Sequence, residues 1–228
     1  MFRATPESPR MFDNDVLDFF SRIPFWVVPV IYVPMVLAYL WWGATQGVGW
    51  VGLVAQFAIG YVIWTLLEYW LHRTVFHWVP DASWGEAFHF YLHGVHHKWF
   101  TDKLRLVMPP AASLAVAAVV NLVLYVTAVA LAPVLAPTWW FGVFAGIAFG
   151  YMVYDLTHYY IHHHKPKTWI GRALRAHHNK HHHNPLYKDL KFGVSTTIWD
   201  HVFGTYELPE GARRKAPVRK NAPAEAQG

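Results

Sequence analysis

Apolar residues run along this chain in four long blocks, about Pro24–Trp42, Val48–Leu67, Ala111–Ala132 and Trp139–Tyr154. An α-helix needs roughly 20 such residues to cross a bilayer core, so each block predicts a membrane span. Pro29 and Pro34 interrupt the first block and predict a kink there, which packing against neighbouring helices tolerates. The blocks pair off. Spans one and two are joined by a few residues around Gly43–Gly47, and spans three and four by Pro133–Thr138, with no Lys, Arg, Asp or Glu in either connection. The long polar segments all lie on the other side. Three Lys/Arg precede span one, four lie between spans two and three, and twelve follow span four, which accounts for all nineteen. The positive-inside rule then places both termini and both long segments in the cytoplasm.

The expected fold is therefore all-α and integral to the membrane: four transmembrane helices as two hairpins, with a cytoplasmic histidine-rich helical cap. Residues 1–23 form an N-terminal cytoplasmic segment and 24–207 the membrane domain. The stretch 208–228, rich in Pro, Ala, Lys and Arg, is expected to be a disordered basic tail. Asp13, Asp15 and Asp18 precede the first span and no small-residue cleavage site follows a short apolar core, so that span is expected to be retained. Trp41, Trp42, Trp50, Trp139 and Trp140 fall at the predicted interfaces, as an aromatic belt does. Gly142, Gly146 and Gly150 give span four one smooth face, suited to close packing on another span of the same chain, with a dimer face as the alternative.

Composition agrees with a membrane protein. The chain is 54% hydrophobic and 14% charged, against about 25% charged for a soluble domain. The absence of cysteine excludes disulfides, thiolate metal sites and iron–sulfur clusters. The net charge of +5 flanks apolar spans, which fits anionic lipid headgroups and not nucleic acid. Gly47, Gly49 and Gly52 spell G-x-G-x-x-G but open a membrane span, not a βαβ unit, so no dinucleotide site is read there. No HExxH motif occurs.

The outlier is the sixteen histidines. His72 and His77 follow span two, and His158 and His162 close span four. His93, His96 and His97 form His-x2-His-His, and His178, His181 and His182 repeat it. Positions i, i+3 and i+4 of a helix share a face, so each triplet is expected to point at one locus, as are His158 and His162. His72 and His77 lie about 500° apart on an ideal helix, which requires either a local distortion or ligation of two different metals. Ten imidazoles are too many for one metal and suit two with about five each; imidazole binds zinc, copper, iron and nickel. A single histidine in such a chain is more often an ordinary polar or interfacial side chain. Four spaced clusters on one side of the membrane are not. His89, His163, His164, His177, His183 and His201 fall outside the pattern and are assigned to outer positions or the surface.

The stretches LLEYWLHRTVFH (66–77), LHGVHHK (92–98), LVMPP (106–110), YDLTHYYIHH (154–163), AHHNKHH (176–182) and FGVSTTIWDHVFGTY (192–206) resemble the fatty acid 2-hydroxylases of the membrane fatty acid hydroxylase and sterol desaturase superfamily. With the spans, the resemblance covers roughly residues 20 to 207. It implies a dimetal centre held by the ten clustered histidines, with iron in the active enzyme, zinc as a substitute in recovered protein, and dioxygen as co-substrate. It also implies hydroxylation of the carbon next to the carbonyl of a lipid acyl chain, in a fatty acid or sphingolipid. The substrate would enter laterally from the bilayer through an apolar slot. Family members often carry a b-type cytochrome domain at the N-terminus, for which this chain has no room. Electrons are then expected from a separate donor, a b-type cytochrome or ferredoxin-like protein with its reductase. Ligating imidazoles usually hold an acceptor on the other nitrogen, and Glu68, Asp155, Asp200, His89 and His177 are candidates for that outer shell. Two alternatives stay open: a sterol or acyl desaturase of the same superfamily, and a non-enzymatic haem or metal carrier.

Overall fold

A computed structural model of the protein describes residues 5 and 8–208. Apart from Leu208, the expected disordered tail lies outside the described residues. In chain order the helices are α1 (Asp15–Phe20), α2 (Val27–Thr45), α3 (Trp50–Trp70), α4 (Gly85–His89), α5 (Val95–Lys98), α6 (Pro110–Ala130), α7 (Trp139–His163), α8 (Trp169–His183) and α9 (Ile198–Val202). No strand occurs among the described residues.

Among the described residues, four helical segments are long and apolar enough to cross a membrane: Val27–Thr45, Trp50–Phe76, Pro110–Ala130 and Trp139–His163. They match the four predicted blocks. Pro29 sits in the first turn of α2, where its missing N–H breaks no helical bond, and Pro34 lies inside a continuous helix. The connection to α3 is tight because Gly47 adopts a φ of 84°, open to glycine without strain. Outward-facing Val30, Leu37, Val54, Val62, Leu122 and Val126 are exposed, as expected of surfaces that meet lipid.

α7 is the central post. Most of its residues are buried, and it packs most extensively on α3 and next on α2. The closest packing is thus between the two hairpins, not within them. The glycine stripe explains why. A Cβ at Gly146 would sit 2.0 Å from the Phe57 carbonyl oxygen, and one at Gly60 of α3 would sit 2.0 Å from the Val143 carbonyl oxygen. The smooth face of span four therefore packs on α3 of the same chain. Because α3 and α7 are locked along their length, the histidines at their ends are held in one place. The segments 77–109 and 164–208 close over that end as the cap.

Candidate metal centre

Ten histidines converge where the ends of two spans meet the cap, as two groups of five. His72, His77, His93, His97 and His181 form one, and His96, His158, His162, His178 and His182 the other. In each group the candidate ligand nitrogens all lie within 4.8 Å of one another. Every clustered histidine named from the sequence is included.

Local helix geometry explains the assignment. Leu71–Phe76 is a π-helical turn continuing α3. Its i→i+5 bonding brings residues five apart onto one face, so His72 and His77 join the same group. Of the two options for that pair, local distortion is the one realised. The triplets need a correction: neither points at one locus. On an α-helix, i and i+4 differ by about 40° in direction, but i+3 and i+4 differ by about 100°. His93 and His97 therefore share the first group while His96 swings to the second. His178 and His182 share the second while His181 swings to the first. Each group takes one pair, the i/i+4 members of one triplet, and the i+3 member of the other.

The nitrogens are arranged as ligands. Nε2 of His93 lies 3.1 Å from Nε2 of His72 and 2.8 Å from Nε2 of His97. In the second group, Nε2 of His158 lies 2.9 Å from that of His178, and Nε2 of His96 lies 2.9 Å from that of His182. A carbonyl oxygen can only accept, so His72 donates its Nδ1–H to Phe192 O at 2.6 Å and His181 donates its own to Leu190 O at 2.8 Å. When neutral, both rings then carry their lone pair on Nε2, facing inward. Each group can hold a metal ion, and the all-nitrogen donor set suits a transition metal.

Burial first, and repulsion from neighbouring imidazoles second, push His77 down to about 3 and His97 down to about 2. His93, His96 and His178 lie well below their ordinary value of 6.5 for the same reasons. Protons therefore do not compete for these nitrogens at neutral pH. In the unfolded chain the same imidazoles titrate near 6.5, so acidification adds protons to the unfolded state first, and stability falls with pH. Metal-depleted protein is expected to lose thermal stability continuously as pH drops below about 6.5 towards the folded value of about 3 for His77. A Tm unchanged between neutral and mildly acidic buffer would contradict this.

The five outer candidates take various places. His89 donates Nδ1–H to the Phe76 carbonyl at 2.9 Å, at the end of the π-turn carrying His72. His177 bonds Asp200 at 3.1 Å and stacks on Tyr206. Burial alone would raise Asp200, but hydrogen bonds from His177, Thr205 and Gly193 N–H outweigh it and hold the carboxylate below its ordinary range. Glu68 accepts from Val194 N–H, Ser195 N–H and the Ser195 hydroxyl. Asp155 accepts from the Tyr151 hydroxyl at 2.8 Å and Met108 N–H at 3.2 Å. Glu68 and Asp155 thus hold loops, their oxygens meeting backbone N–H groups and hydroxyls. The acceptors that meet clustered histidines outside the groups are backbone carbonyls of Leu190 and Phe192, which carry no side-chain signature in sequence.

Two neighbouring cavities share part of their walls, and one of them borders the centre. One, of about 770 Å3 counting its open mouth, is lined by apolar residues of α2, α3, α6 and α7, among them Tyr32, Trp64, Ala117 and Phe144. The other, of about 1020 Å3 counted likewise, borders His93, His96 and His158 and is walled by Met11, Phe12, Leu17 and Phe20 of the N-terminal segment. Phe76, Leu92, Met108 and Tyr154 line both.

The signature of the family described as fatty acid hydroxylase matches residues 57–205, which contain all ten clustered histidines. The chain belongs to the fatty acid hydroxylase family. Among relatives of this hydroxylase, a dihydroceramide fatty acyl 2-hydroxylase of Arabidopsis thaliana is 38% identical over 212 residues, covering 92% of this chain and 85% of that protein. A ceramide very long chain fatty acid hydroxylase of Saccharomyces cerevisiae is 37% identical, covering 93% of this chain and 52% of its own length. A solved structure described as full-length scs7p, with only the hydroxylase domain visible, matches with a TM-score of 0.78 and 35% identity, covering 89% of this chain and 73% of that one.

Proposed function

We propose that this hydroxylase adds a hydroxyl group to the carbon next to the carbonyl of a lipid acyl chain, with a ceramide-type lipid or a fatty acid as substrate. The observation that carries the reading is the pair of five-histidine groups bordering a cavity that shares part of its wall with an apolar slot between the spans. The ten histidines are assigned as ligands of two metal ions, iron in the active enzyme and zinc as a substitute. Iron held there would supply the activation of dioxygen needed to oxidise an unactivated C–H bond.

The protein's own residues do the positioning. The slot takes the acyl chain from the bilayer and excludes water. The cavity beside His93, His96 and His158 takes the polar head, which brings the carbon next to the carbonyl to the histidine-lined end. The distribution of Lys and Arg supports termini and histidines on the cytoplasmic side, where a separate electron donor, a b-type cytochrome or ferredoxin-like protein, would dock. Residues 24–207 are assigned as the catalytic membrane unit, with 1–23 as a cytoplasmic segment.

The test is expression in a host lacking 2-hydroxy fatty acids, with candidate electron donors co-expressed, and mass spectrometry of hydrolysed lipids. New 2-hydroxyacyl chains are expected; new double bonds without hydroxyl would reassign the protein as a desaturase. The slot makes a sharper claim. Ala117→Trp fills it, so the products are expected to shift toward shorter acyl chains. Discrimination against the longest should be on the order of tenfold or more, since each misfitting methylene costs about 1–3 kcal/mol. An unchanged chain-length profile would remove the slot from the substrate path.

A further inference from the structure

The two histidine groups differ in what stands behind them. In the first, His72 and His181 donate to the carbonyls of Phe192 and Leu190, which flank a single residue, Lys191. Lys191 holds a φ of 63°, a left-handed conformation uncommon outside glycine. Its ammonium sits 4.0 Å from the Tyr206 ring centroid and 5.1 Å from that of Tyr187, and it donates to the Tyr206 carbonyl. Five successive N–H groups then pin the segment: Lys191 to the Thr205 carbonyl, Phe192 and Gly193 to Asp200, and Val194 and Ser195 to Glu68. Carbonyls fixed in this way cannot drift from the imidazoles they orient.

The second group lacks such a frame among the described residues. Nδ1 of His96, His178 and His182 is buried there with no hydrogen-bond partner. An acceptor behind a ligating imidazole fixes its tautomer and direction and raises its basicity, and losing one typically costs 10–100-fold in metal affinity.

We propose that the two metal sites are unequal: the group framed by the 190–195 segment holds its metal tightly, and the group of His96, His158, His162, His178 and His182 holds an exchangeable one. The proposal rests on the dimetal reading above. Lys191, Asp200 and Glu68 are positioning residues for the first site.

Zinc alone serves as the probe. Purified protein in detergent is loaded with zinc, dialysed against increasing chelator, and the zinc retained per chain is counted by mass spectrometry. Loss is expected in two steps with midpoints about tenfold or more apart. His162→Ala, at the half-buried rim of the second group, should abolish the early step and keep the late one. His77→Ala, at the half-buried rim of the first, should keep the early step and weaken or abolish the late one. Asp200→Asn should move the late step by roughly tenfold toward the early one and leave the early step in place. Should that variant fail to fold by circular dichroism, the two rim variants decide. Loss of both ions in one step overturns the inequality, as does a late step that survives His77→Ala and vanishes in His162→Ala. Saturation of the unaltered protein below two zinc ions per chain overturns the dimetal reading instead, so the two failures are distinguishable.

Discussion

His178→Ala is expected to reduce 2-hydroxyacyl product at least about 100-fold, whereas His183→Ala, five residues along the same helix, should leave it near the unaltered level. His178 is fully buried, and its Nε2 lies 2.9 Å from that of His158. Removing a group behind a ligand costs about 10–100-fold, and removing the ligand itself should cost more. The substitution also leaves His96, His158 and His182 arranged around a missing donor. His183 is exposed and meets the Phe100 ring edge-on, outside both groups. The check pairs lipid analysis with metal counting: His178→Ala should also lose metal from its own group, while His183→Ala keeps the full count. Full product and full metal in His178→Ala would remove it from the centre. Equal loss in both variants would mean that α8 tolerates no substitution, and the contrast would carry no information about ligation.

That contrast depends on reading helix periodicity at the level of single residues, and there the sequence was only partly legible. The four spans were visible because roughly 20 apolar residues in a row have few other uses. The ends of α3 and α7 were not, because both helices run on past the apolar block into histidine-bearing turns as far as Phe76 and His163. The ten clustered histidines were visible from their spacing, but their division was not. Grouping i, i+3 and i+4 on one face is adequate for a hydrophobic stripe, whose contacts are broad. It fails for a metal, where about 100° between i+3 and i+4 separates two targets. The pair five apart left a distortion and two different metals equally open, and the π-turn decides for the first. Least legible was the 190–195 segment. Its contribution to the centre is two backbone carbonyls, and backbone looks the same at every residue. The indirect signs were Glu68 and Asp200, acidic residues with no cationic side chain beside them in sequence, whose acceptor oxygens the backbone of that segment occupies.

Asp200→Ala should therefore do more damage than its distance from any ligand nitrogen suggests. Asp200 is fully buried and accepts from Phe192 N–H and Gly193 N–H at 2.8 Å, from the Thr205 hydroxyl at 2.7 Å and from His177 at 3.1 Å. Alanine leaves those donors buried without an acceptor, at about 1–3 kcal/mol each. Several such losses approach the 5–15 kcal/mol that typically separates folded from unfolded chains. At 2–4 °C per kcal/mol for a chain of this size, Tm is expected to fall by about 10 °C or more. Asp200→Asn retains one acceptor oxygen and should fall between the two. The functional loss should follow the same order, because the Phe192 carbonyl that orients His72 belongs to the segment Asp200 holds. Thermal unfolding of the three proteins in one detergent gives the ranking. A Tm for Asp200→Ala within a few degrees of the unaltered protein would show that other contacts hold the segment, and the carboxylate would lose its place in the support of the metal centre.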